Sequence, residues 1–274
     1  MQREEPSFEI ITVGNELLTG RTLNTNSQWL SERITQLGGF VSRCTVIRDD
    51  VTEISRALRE SLRRDTKFVI IAGGLGPTYD DRTLEGVAKG LSRRLLVNKQ
   101  ALQMLKVKYK QMTEKGVIEK FELTEPRVKM ARLPVRGIPL PNPVGTAPGV
   151  LLRVDTSIAA CLPGVPSEMK GIFEDSLKRL ITKLTGRVYT YSRSLMLKGI
   201  VESSLAPLLD GIVAKFPDVY IKSHPRGIEG TISRIQVEIG GKSRRKGVAE
   251  TKVNNVAEEL GKLVQGRGGS IALV

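Results

Sequence analysis

The chain has 274 residues, and this length predicts one large domain plus one small one. Its formal net charge of +14 favours anionic partners, but aromatic residues make up only 4%, so few side chains could stack nucleic-acid bases and dedicated nucleic-acid binding is disfavoured. Two cysteines, Cys44 and Cys161, exclude a disulfide framework or a thiolate zinc site, and both are predicted to be buried core thiols because they lie in apolar runs.

No stretch of the sequence approaches the roughly 20 apolar residues of a membrane span, and residues 1–6 carry no apolar signal segment. We therefore expect a cytoplasmic protein with no membrane partner.

The first third of the chain alternates apolar strand patterns with amphipathic helix patterns. Strands are predicted at 8–13, 40–47 and 68–72. One helix is predicted to begin near Asn26 and another after Thr52, the expected helix cap. This order is typical of a doubly wound, mostly parallel α/β sheet.

The next hundred residues continue the same kind of domain. Helices are predicted at 83–91 and 99–115, whereas segment 134–148 is too rich in Pro and Gly for a regular element and is predicted to be a loop. Strands at 149–154 and 158–162 then lead into a helix over 166–184.

Beyond Gly186 the spacing of apolar residues changes, so we place a domain boundary there and predict domains over 1–185 and 186–274. The second domain has the order β-α-β-β-α-β, which is that of a small ferredoxin-like split unit. His224, the sole histidine, is predicted to lie in a turn, and Lys242 to Lys246 (KSRRK) form the one compact basic block.

Loops next to the apolar strands carry the main functional pattern. The loop 73–81 (GGLGPTYDD) follows the central strand, and its glycines allow several backbone N–H groups to point at one anion. Asp80 and Asp81 would repel a phosphate there unless a divalent cation lay between them, so the pair implies Mg²⁺ or a similar metal. In the alternative interpretation, one aspartate caps the following helix and the other is solvated.

Two further loops could complete a phosphate site. In NPVGTAPG, Gly145 and Thr146 can donate hydrogen bonds to a phosphate. In LPGVPSEM, Gly164 permits a sharp turn, and Ser167 and Glu168 follow in the first turn of a helix, where Glu168 is a metal ligand, a base or a complement to the helix dipole.

Several other mechanisms are excluded because their residues are absent. The sequence has neither a GxxxxGK[ST] loop nor a complete GxGxxG fingerprint. With a single histidine, a histidine-dependent catalytic triad lacks its parts.

The motifs GNELLTGRTLNTN, GGLGPTYDD, NPVGTAPG and LPGVPSEM, in this order over residues 8–184, resemble the amino-terminal domain of the competence-damage-inducible (CinA) family, which is similar to the molybdopterin-binding fold of the MoaB/Mog group. The resemblance implies metal-dependent hydrolysis of a nucleotide pyrophosphate such as ADP-ribose or FAD, with Mg²⁺, Mn²⁺ or Co²⁺. The alternative is a protein that binds or adenylylates molybdopterin. In both cases the partner is a small nucleotide or pterin phosphate, and a homo-oligomer is compatible with the family.

The resemblance also selects site residues. Asp80, Asp81 and Glu168 match catalytic positions, and the two aspartates are the expected metal ligands. The expected ligand-binding residues belong to the same motifs and are Glu16, Asn24, Gly73, Gly74, Gly76, Thr78, Asn142, Gly145, Thr146, Gly164 and Ser167.

Two departures from the family pattern affect these expectations. Asn15 stands where many members have aspartate, which removes one potential carboxylate ligand. The chain also ends before the deamidase domain that many bacterial members carry, so no deamidase activity is expected.

Overall fold

A computed structural model describes residues 6–229 and 232–273. It divides into two compact units, Met1–Thr185 and Gly186–Val274. The division lies at Gly186, close to the position where the spacing of apolar residues along the sequence changes.

The first unit is built on a six-stranded sheet with a short separate ribbon. The strands of this unit are β1 (Ser7–Val13), β2 (Phe40–Ile47), β3 (Phe68–Ala72), β4 (Leu95–Val97), β5 (Arg132–Pro134), β6 (Ile138–Leu140), β7 (Gly149–Val154) and β8 (Ser157–Leu162). The main sheet has the order β2-β1-β3-β8-β7-β6, and β4 pairs with β5. Strands β2, β1, β3 and β8 are parallel neighbours, whereas β7 and β6 are antiparallel additions. The predicted mostly parallel α/β sheet is confirmed.

Helices cover both faces of this sheet. They are α1 (Asn15–Leu18), α2 (Thr25–Gln36), α3 (Val51–Arg63), α4 (Thr83–Gly90), α5 (Lys99–Glu114), α6 (Glu125–Lys129), α7 (Pro166–Ile172) and α8 (Lys178–Thr185), with a π-helical turn, Phe173–Leu177, between the last two. Phe8 and Ile10 of β1 pack with α2, α7 and α8, while Ile11 and Val13 pack on the opposite face with α3, α4 and α5. Strand β3 is buried along its whole length because both faces are covered.

The second unit has the predicted split order. Its elements are β9 (Tyr189–Lys198), α9 (Glu202–Lys215), β10 (Val219–Glu229), β11 (Ile232–Ser243), α10 (Val248–Gln265) and β12 (Ser270–Leu273). The strand order β10-β11-β9-β12, with every neighbouring pair antiparallel, is that of a ferredoxin-like unit. In the described part of both units, no helix combines the length and the apolar character that crossing a membrane requires.

Three predictions about local structure are wrong. His224 does not lie in a turn, because β10 continues through it to Glu229 and pairs it with Gln236. Strand β6 interrupts the predicted loop 134–148, and Pro139 is tolerated there because β6 is the edge strand of its sheet. Asp50, not Thr52, caps α3, since the Asp50 carboxylate accepts hydrogen bonds from two backbone N–H groups.

The prediction for the cysteines is half correct. Cys161 is buried in β8, and burial raises the pKa of its thiol to about 12. Cys44 is exposed, because β2 is the other edge strand of the sheet and half of its residues are exposed to solvent.

A buried carboxylate fixes α3 to the amino-terminal half of β1. Glu9 is only 2% exposed, and its carboxylate accepts hydrogen bonds from Arg64 Nε (2.8 Å), Arg64 Nη2 (2.7 Å), Ser61 Oγ (2.7 Å) and Thr66 Oγ1 (2.8 Å). Burial alone raises the pKa of Glu9, but the hydrogen bonds from these three side chains and the charge of Arg64 lower it from 4.5 to about 2. The charged form is therefore the one that the fold stabilises.

We predict that Glu9→Gln lowers the free energy of unfolding at pH 7 by about 3 kcal/mol, because Arg64 loses its charged partner. Because the folded-state pKa is depressed, the contribution of Glu9 is fully present above about pH 4.5 and is lost as the pH falls toward 2. Urea unfolding at pH 7 and at lower pH measures both effects. Glu60→Gln removes an exposed carboxylate from the same helix and should change stability by less than about 0.5 kcal/mol; equal losses for the two variants would contradict the prediction.

Candidate functional site

The loops of all four sequence motifs lie at one edge of the main sheet. This edge is formed by the carboxyl ends of the four parallel strands, at Val13, Ile47, Ala72 and Leu162. The loop 141–148 joins the antiparallel strands β6 and β7 at the same edge, because Leu140 pairs with Gly149 and Val150 pairs with Cys161. The connections after β1 and β3 leave toward opposite sides of the sheet, and such a switch point is where doubly wound sheets bind ligands.

Gly73 brings the ends of three strands into contact. Its N–H donates to Leu162 O at 3.0 Å, and a Cβ on it would lie 2.1 Å from Val13 O. Its φ of +120° is itself reserved for glycine. A Cβ on Gly164 would lie 3.4 Å from the Gly73 Cα, so the loops after β3 and β8 are adjacent.

The loop after β1 is fixed to its neighbours by two asparagines. Asn24 Nδ2 donates to Thr12 Oγ1 at 2.9 Å, while Asn24 Oδ1 accepts from the Ser27 N–H and caps α2. Asn26 Nδ2 donates to Gly164 O at 2.7 Å, and its buried Oδ1 has no hydrogen-bond partner among the described residues. Sequence reasoning selected Asn24 and used Asn26 only as a helix start, although both belong to the NTN motif.

Thr78 holds both aspartates of the glycine loop. Its hydroxyl lies within hydrogen-bonding distance of Asp80 Oδ1 and Asp81 Oδ2, and its N–H donates to Asp81 Oδ2 at 2.8 Å. The hydrogen bond from Thr78, together with the backbone N–H of Asp80 and the charge of Lys129, lowers the pKa of Asp80. Lys129 Nζ also donates to Thr78 O. Apart from the Asp80 N–H, no group of the described residues donates a hydrogen bond to Asp80 Oδ2 or Asp81 Oδ1, so each aspartate keeps an oxygen for a ligand.

Asp49 is a site residue that sequence reasoning missed. It follows β2, and its Oδ2 accepts a hydrogen bond from the Asn15 N–H at 2.8 Å. Burial raises the pKa of Asp49, and the charges of Glu16 and Asp80 raise it further. Negative charge from three loops is therefore concentrated at this edge. The position of Asp49 directly after an apolar strand was the available sequence pattern.

Glu168 belongs with the loop between β6 and β7. Asn142 is 5% exposed; its Nδ2 donates to Glu168 Oε2 at 2.6 Å and to Ala147 O at 2.9 Å, while its Oδ1 accepts from the N–H groups of Val144 and Gly145. A Cβ on Gly145 would lie within 2.4 Å of the Glu168 carboxylate oxygens, so glycine is needed for their close approach. None of the described residues bridges Glu168 and the two aspartates by hydrogen bonds, and the hydroxyls of Thr146 and Ser167 make none.

Several backbone donors at the same edge have no acceptor among the described residues. Within residues 6–229 and 232–273, no protein atom accepts a hydrogen bond from the N–H groups of Gly74, Leu75, Gly76, Thr146, Ala147, Gly164 and Val165. Leu75 and Ala147 are nevertheless 4% and 6% exposed. Buried backbone N–H groups nearly always have a partner, so this arrangement is suited to an anion.

A cavity of about 390 Å³ adjoins the glycine loop. Gly74, Gly76 and Asp81 line one side of it, and Lys129 and Arg132 contribute positive charge. Its volume is in the range of small-molecule sites.

The carboxylates suit a metal site that is completed by the phosphates of a substrate better than one made by protein ligands alone. No group of three or more His, Cys, Asp or Glu side chains in the described structure could hold a metal ion by itself. Mg²⁺ is usually bound by one or two carboxylates plus the phosphates of its substrate. Asp80 and Asp81, each with a free oxygen, suit that mode.

Comparison with known proteins gives a consistent set of matches. Residues 9–183 match the family model described as a probable molybdopterin binding domain. A protein of Metallosphaera sedula is 42% identical over 263 residues, covering 96% of both chains, and one of Aeropyrum pernix is 41% identical over 269 residues, covering 98% of this chain and 97% of its own. The solved structure of the protein CinA, of unknown function, from Thermoplasma acidophilum is 40% identical with a TM-score of 0.58, and the match covers 64% of this chain and 98% of that one.

We predict that Gly73→Ala lowers the free energy of unfolding by on the order of 3 kcal/mol, because the new methyl group would collide with the backbone of β1. Gly20→Ala is the matched control, since Gly20 also has a positive φ, +72°, but nothing lies within 4 Å of its Cβ position. It should cost about 1 kcal/mol from backbone strain alone. Urea unfolding of both variants checks the difference; a Gly73 variant no less stable than the Gly20 variant would show that the three strand ends are not packed as described.

Proposed function

Because the chain belongs to the molybdopterin-binding domain family and is CinA-like, we propose that its first unit binds a nucleotide-type diphosphate at the carboxyl edge of the sheet and hydrolyses the phosphoanhydride bond with a divalent cation. ADP-ribose and FAD represent this substrate class. The observation that carries the proposal is the set of backbone N–H groups without acceptors, which meet carboxylates at one edge.

We assign the two groups of free N–H donors to the two phosphates of the diphosphate. Gly74 to Gly76 supply donors from one loop, and Thr146 and Ala147 supply them from another. Donors fixed in place before the reaction stabilise charge that develops on phosphate oxygens without reorganisation. Lys129 adds a positive charge beside the glycine loop.

Asp80 and Asp81 would hold the divalent cation through the oxygens that Thr78 leaves free. A cation held there would neutralise the diphosphate and polarise its phosphorus–oxygen bonds. Thr78 thereby acts as the positioning residue of both carboxylates. The nearby charges of Glu16 and Asp49 increase the local attraction for a cation.

Glu168 is the proposed general base. The Asn142 side chain fixes one carboxylate oxygen at 2.6 Å, and the other oxygen remains available to accept a proton from water. The water oxygen then attacks phosphorus, the phosphoanhydride bond breaks, and two phosphate monoesters leave. With ADP-ribose, one of these products is AMP.

A second candidate function is binding or adenylylation of molybdopterin. It is favoured by the description of the matching family as a probable molybdopterin binding domain. The same N–H groups would then hold the phosphate of a pterin, and no water would be activated.

Incubation of the full chain with ADP-ribose or FAD and Mg²⁺, Mn²⁺ or Co²⁺ tests the proposal, with AMP measured by chromatography. AMP release that depends on the metal supports hydrolysis. Binding of molybdopterin without AMP release under any metal favours the second function.

We predict that Asp80→Asn lowers turnover about a hundredfold or more while the thermal unfolding temperature stays unchanged, because the exposed carboxylate serves the ligand rather than the fold. Asp155→Asn is the matched control. Asp155 is exposed in the turn between β7 and β8, at the opposite edge of the sheet, and its φ of +50° suits asparagine. Wild-type turnover in the Asp80 variant would remove that residue from the mechanism.

A further inference from the structure

In the second unit, several cationic side chains lie on one face of the sheet, whereas most acidic residues lie on the helices that cover the other face. This arrangement is not visible in the linear sequence. Leu195 and Leu197 of β9 and Val237 and Ile239 of β11 are buried against α10. Because side chains alternate along a strand, the residues between them lie on the other face of the sheet. Among the described residues of this unit, no helix packs on that face, which we call the open face.

Long cationic side chains from three strands lie on the open face. They are Lys198 of β9, Lys222 and Arg226 of β10, and Arg234 and Lys242 of β11. Arg226 is placed there by the hydrogen bonds that its Nε and Nη2 donate to Gln236 Oε1, at 3.0 and 2.7 Å. Lys242 begins the basic block 242–246, which continues from the end of β11. Glu238 is the one carboxylate that the described side chains place on this face.

The acidic residues of the unit lie mostly on its helices. Those residues are Glu202 and Asp210 on α9, and Glu250, Glu258 and Glu259 on α10. Cations on that side are partly neutralised locally, as in the ion pairs Lys215–Glu259 and Lys252–Asp218, both 2.9 Å long. The strand order therefore brings five cationic side chains that are distant in sequence onto one surface.

One row of the open face carries short side chains, where Gly240 lies opposite Ser192. The next row places Lys222 and Ser194 on either side of Glu238. At one end Tyr220, which is 61% exposed, pairs with Gly240, and its side chain lies 3.8 Å from the position a Cβ would take there. His224 of β10 and Met196 of β9 are the neighbours of Gln236 on the adjacent strands, so planar and polarisable side chains also lie on this face.

From this geometry we propose that the open face binds single-stranded nucleic acid, an activity beyond the diphosphate chemistry of the first unit. Phosphates of an anionic chain would contact the surrounding cations. Unpaired bases can lie on the surface of a sheet and stack on an exposed aromatic ring such as Tyr220. A duplex is the poorer fit, because its bases are read by an element that enters a groove, whereas the open face is one side of a four-stranded sheet.

Fluorescence anisotropy of the full chain with a labelled oligothymidylate tests this proposal. Binding is expected at about 50 mM salt and should weaken as salt rises, with a log–log slope of roughly −0.7 per phosphate contacted. The double variant Lys222→Gln/Arg226→Gln should bind about tenfold more weakly and reduce the magnitude of the slope by about 1.4. The control Lys215→Gln/Lys262→Gln removes the same charge from the helix side and should change affinity by less than about twofold.

A third variant separates stacking from charge. Tyr220→Leu keeps an apolar side chain over Gly240, and it should weaken binding several-fold with an unchanged salt slope. Thermal unfolding of each variant establishes that it is folded. The proposal is overturned if the wild-type chain does not bind the oligonucleotide at low salt, or if the control variant loses as much affinity as the open-face variant. Binding of anionic vesicles or polyglutamate in place of the oligonucleotide would also overturn it.

Discussion

The close approach of β1, β3 and β8 at their carboxyl ends is the constraint on which the site depends. Gly73 makes this approach possible, because any side chain there would collide with the carbonyl of Val13. Its N–H donates to Leu162 O, whereas the following N–H groups, of Gly74 to Gly76, have no acceptor among the described residues. Gly73 therefore closes the gap between the strands directly before the loop that carries these donors. Glycine is therefore required at position 73 for steric reasons, whatever ligand the loop binds.

Negative charge at this edge opposes folding. The charges of Glu16 and Asp80 contribute to the raised pKa of Asp49, so its ionised form is disfavoured by its surroundings. Strand β1 is stabilised at its other end, where the ionised Glu9 is paired with Arg64 and satisfied by two hydroxyls. The like charges follow β1, β2 and β3 at one edge of the sheet, and the satisfied carboxylate of Glu9 lies toward the other end of β1.

The sequence predicts the helices and strands whose own apolar residues repeat at helical or strand spacing. It misses the strands that form only because they pair with a neighbouring strand. Strand β3 and helix α2 follow from their own apolar residues. Strand β6 and the second half of β10 do not, because Pro139, Pro225 and Gly227 argue against a strand locally and are tolerated only at a sheet edge or bulge. Cys44 is exposed for the same reason, since edge position is a property of the sheet and not of residues 40–47.

In the candidate site too, residues that are close in sequence could be predicted, whereas contacts between distant segments could not. Motif loops predicted the glycines and the aspartate pair, whose spacing is local. Asp49 lies outside the motifs, and the Asn26–Gly164 contact joins residues of two motifs, so only the strand order brings these residues together. The open face of the second unit depends on strand order in the same way, because none of its strands is strongly basic alone. The order β10-β11-β9 places cations that are up to 44 residues apart in sequence, Lys198 and Lys242, on one surface, and composition alone could not have indicated it.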